Sequence, residues 1–199
     1  MKTYISILRG INVSGQKLIK MDALKKTYES LGFRNVTTYV QSGNVIFNAS
    51  DTEPEKPEQM IYNQIVKDFG FEVPVIVLTP EKLKLVVDNN PFVIDPTKDT
   101  AFLHVTFLSA KPGNYDGSAI AAKKQEGEEI YFTGEAVYLY CPNGYGRTKL
   151  NNNFLEARLK ETATTRNWKT TNELLKIAQE IKRAKPTNSA KLQDKKPKI

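Results

Sequence analysis

The stretch Tyr39-Val40-Gln41-Ser42-Gly43-Asn44-Val45-Ile46-Phe47 narrows what this 199-residue chain can fold into more than any other. β-Branched and aromatic residues flank it on both sides, Val36 to Tyr39 before and Val45 to Phe47 after, and such residues suit paired strands. Ser42-Gly43-Asn44 permits the positive φ of a tight turn, so the segment predicts a β-hairpin. A strand, a helix and this hairpin, followed by a second helix and strand, leave room for few topologies.

Those neighbours are legible. Residues 3–8 alternate as a first strand, with Tyr4, Ser6 and Leu8 on one face and Ile5 and Ile7 on the other. Met21, Leu24, Tyr28 and Leu31 recur at helical spacing and Gly32 ends that helix. A second helix runs from a cap at Asp51 or Thr52 to Phe69, with Met60, Ile61, Ile65 and Phe69 as its apolar stripe. Phe71 to Leu78 reads as a strand that Pro74 assigns to a sheet edge. The order βαββαβ predicts an α+β fold with a ferredoxin-like subdomain over residues 1–79.

Residues 80–100 read as a helical connection. A second α+β subdomain over 101–181 repeats βαββ, with a strand at 101–108, a weak helix at about 115–125 and a hairpin joining Glu129–Phe132 to Ala136–Cys141. Its hairpin, IYFTGEAVYL, resembles YVQSGNVIF and suggests a duplication. Ala163 to Trp168 reads as a separator between two helices, the last with a Thr170/Glu173 capping box, so the second copy is expected to be incomplete.

Composition bounds the function. With 40% hydrophobic residues the chain can bury a core, and its one cysteine, Cys141, excludes an internal disulfide framework and points to a cytoplasmic protein. No stretch has the length of a membrane span. Of the net charge of +7, Lys182, Arg183, Lys185, Lys191, Lys195, Lys196 and Lys198 against Asp194 supply +6, so residues 182–199 read as a basic, disordered tail and the body is nearly neutral. The single histidine, His104, lies within a strand and reads as structural. Asp99, Asp116, Glu128 and Glu129 stand beside turns as surface charges, and no metal site or cofactor signature is present in the sequence.

Binding residues follow from topology. In a right-handed βαβ crossover the loop after the first strand and the turn after the second lie at one end of the sheet. Arg9, Gly10, Asn12, Lys17 and Lys20 are thereby expected beside Gln41, Ser42 and Asn44. No acidic residue occurs from 9 to 20, so this edge is a candidate for an anionic ligand, a phosphate-bearing small molecule or nucleic acid. Tyr145, Arg147, Lys149, Arg166, Asn167 and Trp168 form a second polar and aromatic group. The alternatives are a small-molecule enzyme with a pocket between the halves, and a protein-interaction domain using an open sheet edge. Nothing in the sequence specifies an oligomeric state.

Four runs carry a resemblance: Arg9-Gly10-Ile11-Asn12-Val13, Tyr39-x-Gln41-Ser42-Gly43-Asn44-Val45, Pro142 to Leu150, and Ala163-Thr164-Thr165-Arg166-Asn167-Trp168. Together they resemble the bacterial domain-of-unknown-function family 1697, which implies ferredoxin-like subdomains and no established activity. Ser14 departs from the Val-Gly-Gly expected in the first loop, which alters how closely a ligand approaches the backbone there. The tail after Ile181 lies outside the resemblance.

Overall fold

A computed structural model describes residues 1–183. The first sheet collects β1 (Lys2–Leu8), β2 (Arg34–Tyr39), β3 (Asn44–Ala49) and β4 (Val75–Leu78) in the order β2-β3-β1-β4, every neighbouring pair antiparallel. Helices α1 (Met21–Ser30) and α2 (Glu55–Phe69) supply the crossovers. β4 is an edge strand, as expected, but it begins at Val75 rather than Phe71, so Pro74 precedes it instead of lying within it.

After α3 (Pro80–Asp88) and two short 3₁₀ turns, the second sheet collects β5 (Leu103–Leu108), β6 (Glu129–Phe132), β7 (Ala136–Tyr140) and β8 (Ala163–Asn167). Its order, β6-β7-β5-β8, reproduces the first, with α4 (Gly117–Ala121) and α5 (Asn152–Leu159) as crossovers. The second copy is therefore complete. The segment read as a separator is its fourth strand, paired with β5 from Ala163↔Leu108 to Asn167↔His104. The sequence pattern does not mark it as a strand, because it is a five-residue edge strand carrying a buried arginine where an apolar residue would complete the alternation.

The final helix, α6 (Trp168–Arg183), follows β8 without a gap and includes Lys182 and Arg183 of the expected tail; residues 184–199 lie outside the described part. Its capping group is Asn167, whose Oδ1 accepts from Thr170 N at 2.8 Å; Thr170 already lies within the helix. Likewise α2 begins beyond Asp51 and Thr52, behind Pro54, and has no side-chain cap.

β1 is buried on both faces, which is why it reads as nearly continuous apolar sequence. Tyr4 and Leu8 pack with Tyr28, Phe33, Phe47, Ile61 and Ile65 under α1 and α2. Ile5 and Ile7 face the other way, joining Ile46, Ile76 and Leu78 to Val105, Phe107 and Tyr138 of the second sheet, with Leu83 and Val86 of α3 and Leu174 and Ala178 of α6. The two sheets thus share one core along their facing sides. A third cluster, around Val137, Leu139, Leu155 and Leu159, lies beneath α4 and α5.

Candidate functional site

The β1–α1 loop and the β2–β3 turn meet at one end of the first sheet. Asn12 is the joint: its Nδ2 donates to the Gln41 carbonyl at 2.8 Å and to the Ile19 carbonyl at 3.0 Å, while its Oδ1 accepts from Ile19 N at 2.9 Å. The backbone here is heavily left-handed. Gly10, Asn12, Ser14, Gly15 and Lys17 all have positive φ between 47° and 74°, as do Val40 at 50° and Gly43 at 76°. Positive φ at the β-branched Val40 is a genuine outlier, and Ser14 adopts it where the resemblance expects glycine. The hairpin's positive φ therefore falls on Val40 and Gly43, the first of which no turn preference flags.

On this rim Lys20 and Gln41 are exposed and Ser42 is half-buried. Exposed Lys17 donates to the Glu72 carbonyl at 2.7 Å. Arg9 points elsewhere, toward the second half. Its Nε donates to the Ala163 carbonyl at 3.1 Å, and its Nη2 bonds Asn153 and forms an ion pair with Glu156 at 2.7 Å. Glu156 also accepts from Ala163 N at 2.9 Å, fixing the start of β8.

Arg166 makes the reciprocal reach from β8 into the first sheet and is 8% exposed. Its Nε donates to Asn44 Oδ1 at 2.6 Å, and its Nη2 to the Leu8 and Ser42 carbonyls, both at 2.7 Å. Its Nη1 donates to Thr164 Oγ1 at 3.0 Å and the Thr165 carbonyl at 2.9 Å. Every acceptor is neutral, and among the described residues no carboxylate pairs with it. Burial pushes the guanidinium down to about 10, so it is still charged at neutral pH. The two residue groups separated in the sequence are thus in direct contact, through Arg166 with Asn44 and Ser42.

A polar network continues from β8 on the opposite face of the second sheet. Thr165 Oγ1 bonds Thr106 Oγ1 at 2.7 Å and Asn152 Oδ1 at 2.6 Å, and the Tyr145 hydroxyl donates to Thr165 Oγ1 at 3.0 Å. The Tyr145 ring stacks on His104 with centroids 4.9 Å apart, and burial pushes its phenol up. Thr106, Asn152, Asn153, Glu156 and Thr165 belong to this arrangement without having been singled out; the Asn151-Asn152-Asn153 run was the one local signal available.

His104 donates from Nδ1 to the Phe102 carbonyl at 3.1 Å, and burial pushes its imidazole down. A group whose folded pKa is depressed in this sense binds its proton more readily when unfolded. Its contribution is therefore present at neutral pH and is lost as pH falls below the ordinary histidine value of about 6.5. Urea unfolding at pH 7.5 and 5.5 is expected to show a larger acid loss for the wild type than for His104→Gln; equal losses would reject this.

Of the other expected residues, two are built into the fold and two stay exposed. Asn167 caps α6, Trp168 packs half-buried on the shared core, and the Arg147 carbonyl accepts from Gln125 Nε2 at 3.1 Å; the Arg147 and Lys149 side chains are exposed. Glu128 is not a surface charge: it is 4% exposed, with Oε2 accepting from Gln125 N at 2.9 Å. Glu129 pairs with Lys98, while Asp99 and Asp116 cap short helical turns.

What the fold and this contact define is a protein of two like α+β halves, each inserting an arginine into the other. The family described as "Protein of unknown function (DUF1697)" matches residues 1–138, and the chain belongs to it. That match ends before the Pro142–Leu150 and Ala163–Trp168 runs. The structure of conserved bacterial protein SP0830 from Streptococcus pneumoniae is similar in fold, with a TM-score of 0.65 at 21% identity, covering 88% of this chain and 98% of that one. No curated protein matches the chain.

Proposed function

We propose that the protein is a binding module for a phosphate-bearing ligand, a nucleotide or a nucleic acid, held at the rim formed by the β1–α1 loop and the β2–β3 turn. The observation that supports this reading is what remains after internal bonds are subtracted. Arg9, Asn12 and Asn44 are spent on the fold, whereas Lys20 and Gln41 are exposed, Ser42 is half-buried with its O–H not used by the fold, and Lys17 has donor capacity left. Two loops locked by Asn12 present these groups at little ordering cost, and exposed backbone amides in a left-handed loop suit anions.

The test is titration with pyrophosphate, ATP and a single-stranded oligonucleotide. Binding is expected to weaken about ten-fold in Lys17→Ala/Lys20→Ala and to survive deletion of residues 184–199. For the oligonucleotide it should fall steeply with salt. Binding that disappears with the tail, or no binding by the intact chain, rejects the rim.

A second reading is a small-molecule enzyme, favoured by Arg9 reaching from the first half to Asn153 and Glu156 of α5, the helix that also supplies Asn152 to the Tyr145–Thr165 network. A ligand whose contacts, mapped by NMR, fall on Tyr145 and Thr165 rather than on Lys20 and Gln41 would select it.

A further inference from the structure

We propose that the positive pole of the rim site is Arg166, a residue of the other half, and that the phosphate is the counter-ion this buried guanidinium lacks within the chain. The inference rests on the rim reading above and deepens it by naming the source of the charge.

A buried cation normally has an anion beside it, because desolvating an unpaired charge is expensive. Arg166 has none among the described residues, and all five of its N–H groups are occupied by neutral oxygens. It cannot touch a ligand and acts through its neighbours. Nε holds Asn44 Oδ1; Asn44 Nδ2 in turn donates to Ser42 Oγ at 3.0 Å and to the Tyr39 carbonyl at 3.1 Å. With that hydroxyl oxygen accepting from inside, the Ser42 O–H is left to donate outward. Each bond in such a chain polarises the next, so the hydroxyl becomes a stronger donor toward an anion. Charge held in a poorly solvated interior is also screened less by salt than the rim lysines are. The ligand class implied is a compact multiply charged anion, a phosphomonoester or diphosphate, rather than a neutral sugar. Arg166 is in these terms a positioning residue.

Asn44→Asp tests this directly. An aspartate there pairs with Arg166, neutralises it and draws the Ser42 O–H inward; the buried arginine keeps its partner, and the cost is the lost bond to the Tyr39 carbonyl, which then faces an acceptor. Calorimetric titration with pyrophosphate at 0.05 and 0.5 M KCl is expected to show affinity at least ten-fold weaker than wild type at both salt concentrations. A difference that vanishes at 0.5 M KCl would be surface repulsion and would overturn the proposal. Ser42→Ala, which leaves the buried pair untouched, is expected to lose three- to ten-fold and keeps the test decisive should Asn44→Asp fail to fold. Unchanged affinity in Ser42→Ala overturns the role of Arg166 and leaves the rim reading standing. Absence of pyrophosphate binding by the wild type removes both.

Discussion

Arg166→Met is expected to be among the most destabilising single substitutions in this protein. It removes five donors at once and leaves the Leu8 and Ser42 carbonyls and Asn44 Oδ1 facing an apolar side chain. Three buried acceptors left unpaired at about 1–3 kcal/mol each put the total at about 3–9 kcal/mol. For a chain of this size that lowers Tm by roughly 10 °C or more. Arg166→Lys, with three donors from one nitrogen and no planar fork, should fall between the two. Urea denaturation of the three proteins decides the matter: a Met variant within about 1 kcal/mol of wild type would show that the contact contributes little, as some buried ionic groups do.

The second large effect is expected at Gly43, where conformation and space forbid a side chain together. Its φ is +76°, and an added Cβ would lie 2.7 Å from Leu8 Cβ and 2.8 Å from Ile11 Cδ1. Leu8 is fully buried at the end of β1 and its N donates to the Gly43 carbonyl at 2.8 Å, so the clash with its Cβ cannot be relieved by a side-chain rotation. Strain in the left-handed region and overpacking each cost about 1–3 kcal/mol, so Gly43→Ala should lose about 3 kcal/mol. Gly10→Ala has the same sign of φ but open space around it and should lose about 1 kcal/mol. Equal losses at the two positions would mean that close approach to Leu8 is not the reason for glycine at 43.

Both substitutions strike the same few ångströms, where the end of β1, the β2–β3 turn and β8 come together. Much of the first half of that junction was legible. The hairpin, the alternation of β1 and the order βαββαβ follow from short-range periodicity, and topology alone placed Asn12 next to Gln41. The second half was not. Thr164 and Arg166 are polar yet buried, so the pattern that identifies a strand by its apolar face is absent from β8. Glu128 is the converse case: it follows a glycine beside a turn, which locally suggests exposure, yet it is buried in the folded chain.

Alone, the sequence determined the strands and helices of the first half, which residues of β1 share a face, and that donor-rich loops share one end of a sheet. Those properties depend on neighbours within a turn or two along the chain. Only the tertiary structure decided that β8 completes a second copy, that Arg9 is held by Glu156 and that Arg166 reaches Asn44. These depend on how one sheet is set against another across more than a hundred residues, where apolar periodicity specifies that two faces will pack but not which polar groups will meet at their edge.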